Sequence, residues 1–262
     1  MTPVPLHARN LSSESGPSAP HLVILHGLLG SSDNWQTLGK RYAATHHVWM
    51  LDARNHGRSP HNPIHSYPAM AEDVLAFLDA RGLDKVSLLG HSMGGKTTLH
   101  MAENHPDRLD KIVVADIASR AYTPHHGPIF DALIATQPSQ AQSRQEVEGI
   151  LRNHIGAEGN VIVPFLMKGL HRAKMGGFAW RFNVPVLQAA LSDIVGAIEV
   201  GMNTLPALFI RGGKSNYVID KDLEQFEAQF LQMDHHTIRD AGHWLHAEAP
   251  DEFFQVTADF LA

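Results

Sequence analysis

The sequence predicts an α/β fold, with a mostly parallel, doubly covered sheet and a helical segment inserted between two of its strands. Three observations lead there. Short runs of branched apolar residues, each stopped by Gly or Asp, recur along the chain as buried parallel strands require. Helical stripes of apolar residues separate them. From about residue 120 to 204 the alternation gives way to helical patterns broken by Gly and Pro, which reads as a cap and not a linker.

Taken in order, residues 12–20 ("SSESGPSAP") form a surface loop on composition. "HLVILHG", "HVWMLD", "KVSLLG", "KIVVAD" and "PALFIRG" are the core strands, and "HHTI" is the last. Tyr67, Met70, Ala71, Val74 and Leu78 make one helical stripe; Leu223, Phe226 and Phe230 make another. Pro250 opens a final helix carrying Phe253, Phe254, Thr257, Phe260 and Leu261. "SRQEVEGILRNHI" and "VIVPFLMKGL" are helical patterns of the inserted segment. The expected organisation is a core of residues 1–119 and 205–262 with a cap of residues 120–204.

Composition bounds the function. A chain of 262 residues can bury a large core. Its net charge of −6 and lack of basic runs argue against nucleic acid or an anionic membrane as partner. With no cysteine, thiolate catalysis, disulfides and thiolate metal sites are excluded. The first residues lack the charged and apolar regions of a signal peptide, and no 18-residue apolar run could span a bilayer. A cytoplasmic location is the expectation.

The 19 histidines invite a metal, yet pairs such as 46–47, 125–126 and 235–236 would diverge on a strand. H-E-x-x-H is absent, and His243 and His246 have no third ligand at a known spacing. No metal and no cofactor is expected.

"GHSMGGKT" (90–97) fits two motifs. As a P-loop, Gly90–Thr97 would cradle phosphates with Lys96 and Thr97, and Asp116 ending "KIVVAD" would serve the Mg²⁺. As G-x-S-x-G it presents Ser92 as a nucleophile on a strand-to-helix elbow. Two strand–helix units precede the motif, whereas a phosphate loop usually opens its domain.

The elbow makes three further demands. An oxyanion needs backbone N–H donors; Met93 follows the nucleophile, and Leu28 in "HGLLG" follows an earlier strand. A serine needs a general base, and His243 in "RDAGHWLHAE" stands in the loop after the last strand; His246 is its competitor, or a surface residue at a helix entry. The base needs a carboxylate, in chain order Ser, acid, His, and Asp116 satisfies that order.

On "HGLLGSSDNW", "LDARNHGRSP", "GHSMGGK", "VVADIA", "WRFNVPVL" and "AGHWLHAE" the chain resembles the α/β-hydrolase-fold serine esterases, and among them the small YbfF-type bacterial esterases. Many α/β-hydrolases carry the acid after the strand that follows the cap, where this chain has Ser215 and Asn216 in "GGKSN". The resemblance implies that the acid has moved to Asp116. Asp220 then begins the next helix, where the dipole favours it, and Lys96 is a helix residue.

The resulting expectation is a metal-independent serine carboxylesterase acting on short to medium acyl esters or thioesters through an acyl-enzyme. A C–C hydrolase or cofactor-free haloperoxidase on the same triad, a P-loop protein and a silent ligand-binding relative are the alternatives. Phe130, Phe165, Met167, Trp180 and Phe182 either line an acyl pocket or form the cap's own core. Asp52, Arg54 and His56 tie down their loop by local hydrogen bonds or touch substrate. Arg181 forms an ion pair within the cap or meets an anionic substrate. The sequence leaves oligomeric state open.

Overall fold

The computed structural model describes residues 2–124, 126–156 and 159–262. In chain order the sheet strands are β1 (Ala8–Leu11), β2 (His21–Leu25), β3 (His47–Leu51), β4 (Val86–His91), β5 (Leu109–Ala115), β8 (Asn203–Gly212) and β9 (Phe230–Ile238). Between β5 and β8 lie two short strands, β6 (Leu170–Arg172) and β7 (Phe178–Trp180). The seven strands run in the order β1-β3-β2-β4-β5-β8-β9. All neighbours pair in parallel except β1, which joins β3 antiparallel with Ala8 opposite Leu51.

Helices α1 (Gln36–Tyr42), α2 (Tyr67–Asp79) and α3 (Met93–Asn104) follow β2, β3 and β4; α9 (Asp220–Gln229) follows β8. α10 (Leu245–Glu248) and α11 (Pro250–Leu261) close the chain. Strand residues alternate between two apolar clusters, one per face. Val23, Leu25 and Leu88 pack under Val74, Phe77, Leu99 and Phe226 of α2, α3 and α9. Leu22, Ile24 and Leu89 pack over Leu38, Tyr42, Phe253 and Leu261 of α1 and α11. This alternation is why the parallel strands read as unbroken apolar runs.

The inserted segment contains α4 (Gly127–Ala135), α5 (Arg144–Ile155), α6 (Gly159–Met167), α7 (Val184–Ala189) and α8 (Leu191–Ile194), with the β6–β7 hairpin among them. Its apolar side chains make a third cluster that takes in Leu29, Tyr67, Met70 and Met93 from the core. That cluster seats the segment above the carboxyl ends of the strands, where open α/β sheets hold their ligands.

Three expectations need correcting. β8 begins at Asn203, two residues before the expected boundary at 205. Phe230 does not continue the helical stripe; it begins β9 and packs edge-on against Phe209. The edge strand β1, with three half-buried residues and an exposed Asn10, carries no apolar run and was not anticipated.

Candidate active site

β4 passes into α3 through Ser92 alone, which sits at φ 53°, ψ −116°. Side chains pay on the order of 1–3 kcal/mol to occupy this region, and packing must hold them there. Here the turn closes because Gly90 and Gly94 lack a Cβ. One on Gly90 would run into the Gly94 carbonyl, and one on Gly94 into the carbonyl of Leu25. The elbow's glycines therefore allow β4, α3 and β2 to meet while Ser92 stands clear.

Asp116 is the first residue past β5, also at positive φ (49°), with its N–H on the Ile210 carbonyl at 2.7 Å. The side chain is fully buried. Its Oδ1 accepts the Gly212 N–H at 2.9 Å, and its Oδ2 accepts both the Ser215 hydroxyl and His243 Nδ1, the latter at 2.8 Å. Because a carboxylate only accepts, Nδ1 of His243 carries the hydrogen. Nε2 is then left as an acceptor, 3.1 Å from Ser92 Oγ. Tyr217 stacks on the imidazole at 3.9 Å, and His91 Nε2 donates to the His243 carbonyl at 2.8 Å. Sequence reasoning did not foresee Ser215 as a partner of the carboxylate: it occupies the position that looked emptied of its acid.

The "HGLLG" loop is braced by two buried imidazoles. His26 donates from Nδ1 to the Gly27 carbonyl (2.8 Å) and accepts the Ala53 N–H on Nε2 (3.1 Å). His56 donates to the Arg54 carbonyl (3.0 Å) and accepts the Leu29 N–H (3.1 Å). Among the described residues no protein acceptor takes the N–H of Leu28 or of Met93. Asp52 accepts the N–H groups of Ser32 and Arg58, while Arg54 and Asp73 form a fully buried two-pronged ion pair. "LDARNHGRS" is thus a scaffold for the loop.

These imidazoles have a consequence for stability. Burial, the largest cause in each case, lowers the pKa of His26, His56, His65, His91 and His246, to about 4 for His65 and about 3 for His246. Unfolded, each would titrate near 6.5. Below that pH the unfolded chain binds protons that the folded chain refuses, so stability falls as pH falls from about 6.5 toward 4, by up to about 1.4 kcal/mol per group per pH unit. We expect the Tm to drop by more than about 10 °C between pH 7.5 and pH 5 in scanning calorimetry. A Tm that is flat over that range would contradict the neutral, buried state of the cluster.

A cavity of about 560 Å³ opens onto Ser92 and His243. Its apolar wall comes from Trp35, Ile129, Ile155, Phe165, Leu166 and Trp244. Of the five pocket candidates only Phe165 lines it. Phe130, Met167, Trp180 and Phe182 belong to the inserted segment's interior, where Trp180 stacks on Phe182 at 5.1 Å and donates to Thr136. Apolar character marks a side chain as buried but not which of two apolar environments receives it.

His246 is not a surface residue: it is buried, stacks on Trp35 at 4.3 Å and packs against His91. Arg181 has no ion-pair partner among the described residues; its N–H caps the Gly169 carbonyl, and its charge helps to lower the pKa of His171. His126 lines the cavity, whereas its neighbour His125 lies outside the described residues. Across β9, His235 faces Glu227 and His236 faces Glu252.

The phosphate-loop alternative is overturned here. Lys96 is buried, with its ammonium on the carbonyls of Arg120 (2.8 Å) and Gly196, and the Thr97 hydroxyl is on the Met93 carbonyl (3.0 Å). Burial lowers the Lys96 pKa to about 8. Neither side chain faces an open loop that could receive a nucleotide.

Residues 20–166 match the model of the α/β hydrolase fold family. The chain is 40% identical to the esterase YbfF of Escherichia coli K12, over 98% of both chains. It is 35% identical to the mouse sn-1-specific diacylglycerol lipase ABHD11, over its whole length and 87% of the relative's. A solved marine microorganism esterase superposes with a TM-score of 0.92 at 37% identity, covering 98% of this chain and 99% of the other.

Proposed function

The chain belongs to the α/β-hydrolase fold family and is a hydrolase of ester bonds, and from that premise we propose that Ser92, His243 and Asp116 are its catalytic triad. One observation carries this reading: the unbroken relay Ser92 Oγ – His243 Nε2 (3.1 Å) and His243 Nδ1 – Asp116 Oδ2 (2.8 Å) at the mouth of an apolar cavity.

In this mechanism Ser92 Oγ attacks the acyl carbon as its proton passes to His243 Nε2. Asp116 holds the imidazole in the Nδ1–H tautomer and stabilises the imidazolium. The free N–H groups of Leu28, in the loop that His26 and His56 brace, and of Met93, at the start of α3, receive the oxyanion, and held beforehand they need little reorganisation as charge develops. His243 returns the proton to the leaving alkoxide. Water, deprotonated by the same imidazole, then releases the acid and restores the Ser92 hydroxyl.

Residues 120–202, which lie between β5 and β8, act as a cap that walls the cavity through α4, α5 and α6. Such a roof favours soluble esters or thioesters over an emulsified lipid surface. Among the described residues no helix is long and apolar enough to cross a membrane.

Two of the histidines around Ser92, His243 and His246, supply the test. His243→Ala should lower kcat for a p-nitrophenyl ester by about 10³-fold or more, whereas His246→Ala should stay within roughly tenfold of the parent. Both are to be measured well below either variant's Tm, since His246 is a packing residue. The opposite ranking would make His246 the base and break the relay proposed here.

A further inference from the structure

Ser92 stands between two cavities of very different size. The larger, of about 560 Å³, is bounded by His243 and by its chain neighbours Gly242, Trp244 and His246. The smaller, of about 20 Å³, is bounded by Tyr67, Met93, Ile117, Ile194 and Val195; no residue of 240–248 reaches it. Leu28, one of the two oxyanion donors, borders both, as do His126 and Tyr217. On this scale a single water needs about 10–15 Å³, so the small cavity has room for little more than one methyl group.

The chemistry decides which part of the ester goes where. The leaving oxygen must take its proton from His243 Nε2, so the group attached to that oxygen extends along the wall His243 belongs to, into the large cavity. The acyl substituent, on the other side of the carbonyl carbon, is directed at the small one.

The small cavity is also held at its size. The Tyr67 hydroxyl donates to the Ile194 carbonyl at 2.5 Å, the Tyr122 N–H to the Val195 carbonyl at 2.8 Å, and the buried Lys96 ammonium to Gly196 and Arg120. These bonds tie the residues that leave β5 to those that approach β8. The wall that would have to retreat for a longer acyl chain is therefore pinned to α2 and α3.

Resting on the catalytic reading above, we propose that the enzyme divides its substrate unequally: an acetyl-sized acyl group beside Met93 and Ile194, and a large apolar alcohol along Ile129, Phe165 and Trp244. The ester bond breaks with transfer of the acetyl group to Ser92 Oγ, and the serine proton leaves on the alcohol by way of His243. Water then gives acetate, and its proton returns to Ser92. Each extra methylene in a pocket already full costs about 10- to 200-fold in kcat/KM.

Octyl acetate and ethyl octanoate test this, since they are isomers with the same apolar content arranged on opposite sides of the ester. Parent kcat/KM should favour octyl acetate by at least about tenfold. Ile194→Ala should raise the p-nitrophenyl butyrate-to-acetate ratio by about tenfold, as the wall recedes. Equal or faster turnover of ethyl octanoate by the parent enzyme overturns the division, while Ser92→Ala, inert on both isomers, would leave the triad standing. Retained turnover of both esters by Ser92→Ala would instead overturn the triad.

Discussion

Ser92→Ala should lose at least about 10³-fold in kcat on any ester the parent cleaves, and up to about 10⁶-fold if the alanine cannot be bypassed by a water. The expectation rests on position as well as chemistry. Ser92 is the one residue between β4 and α3, at a backbone angle that packing must maintain. Alanine tolerates that angle no worse than serine, so the fold and the N–H groups of Leu28 and Met93 should survive. What remains is then the contribution of the oxyanion donors and of binding alone. Steady-state kinetics with p-nitrophenyl acetate, beside a thermal melt within a few degrees of the parent, would separate loss of chemistry from loss of fold. Activity within tenfold of the parent would mean that another group attacks the acyl carbon.

Asp116→Asn should lower kcat by several orders of magnitude, up to about 10⁴. Three donors converge on this buried carboxylate: the Gly212 N–H, the Ser215 hydroxyl and His243 Nδ1. An amide has one oxygen and two N–H bonds of its own. With its oxygen toward Gly212 it must offer hydrogens to Ser215 and to His243, which turns the imidazole into the tautomer whose Nε2 already carries a proton. That imidazole cannot accept the proton of Ser92. Asp220→Asn is the control, because Asp220 is exposed, begins α9 and pairs with Arg211 away from the imidazole. Its kcat should be that of the parent. Loss of activity in Asp220→Asn with Asp116→Asn spared would place the acid after β8.

What could be read from the sequence follows from which constraints are local. The elbow at Ser92 is written in Gly90 and Gly94, because a turn that tight excludes side chains at those two positions. The five core strands beginning with "HLVILHG" were legible because a strand buried on both faces has no polar period. Asp116 and His243 were found by chain order and by their place after β5 and β9, a topological constraint that one sequence can display.

Other features depend on distant contacts and left no comparable mark. β1 is recognised only by pairing with β3, and its half-polar residues resemble a loop. Ser215 earns its place through Asp116, 99 positions away. His246 resembled a surface residue at a helix start, yet it stacks on Trp35 from the other end of the chain. The cavity wall was the least legible part. Trp180 and Phe182 are as aromatic as Phe165, but the first two stack on each other inside the inserted segment and only Phe165 turns to the cavity.

If the acyl group is carried on Ser92, a fluorophosphonate reports on that atom directly. After incubation with a stoichiometric amount of the reagent, digestion and mass spectrometry should find one adduct, on the peptide carrying Ser92, with esterase activity lost in proportion to labelling. His243→Ala should slow that labelling, because the hydroxyl would have lost its base. An adduct confined to any other residue, or full activity after complete modification of Ser92, would contradict the account.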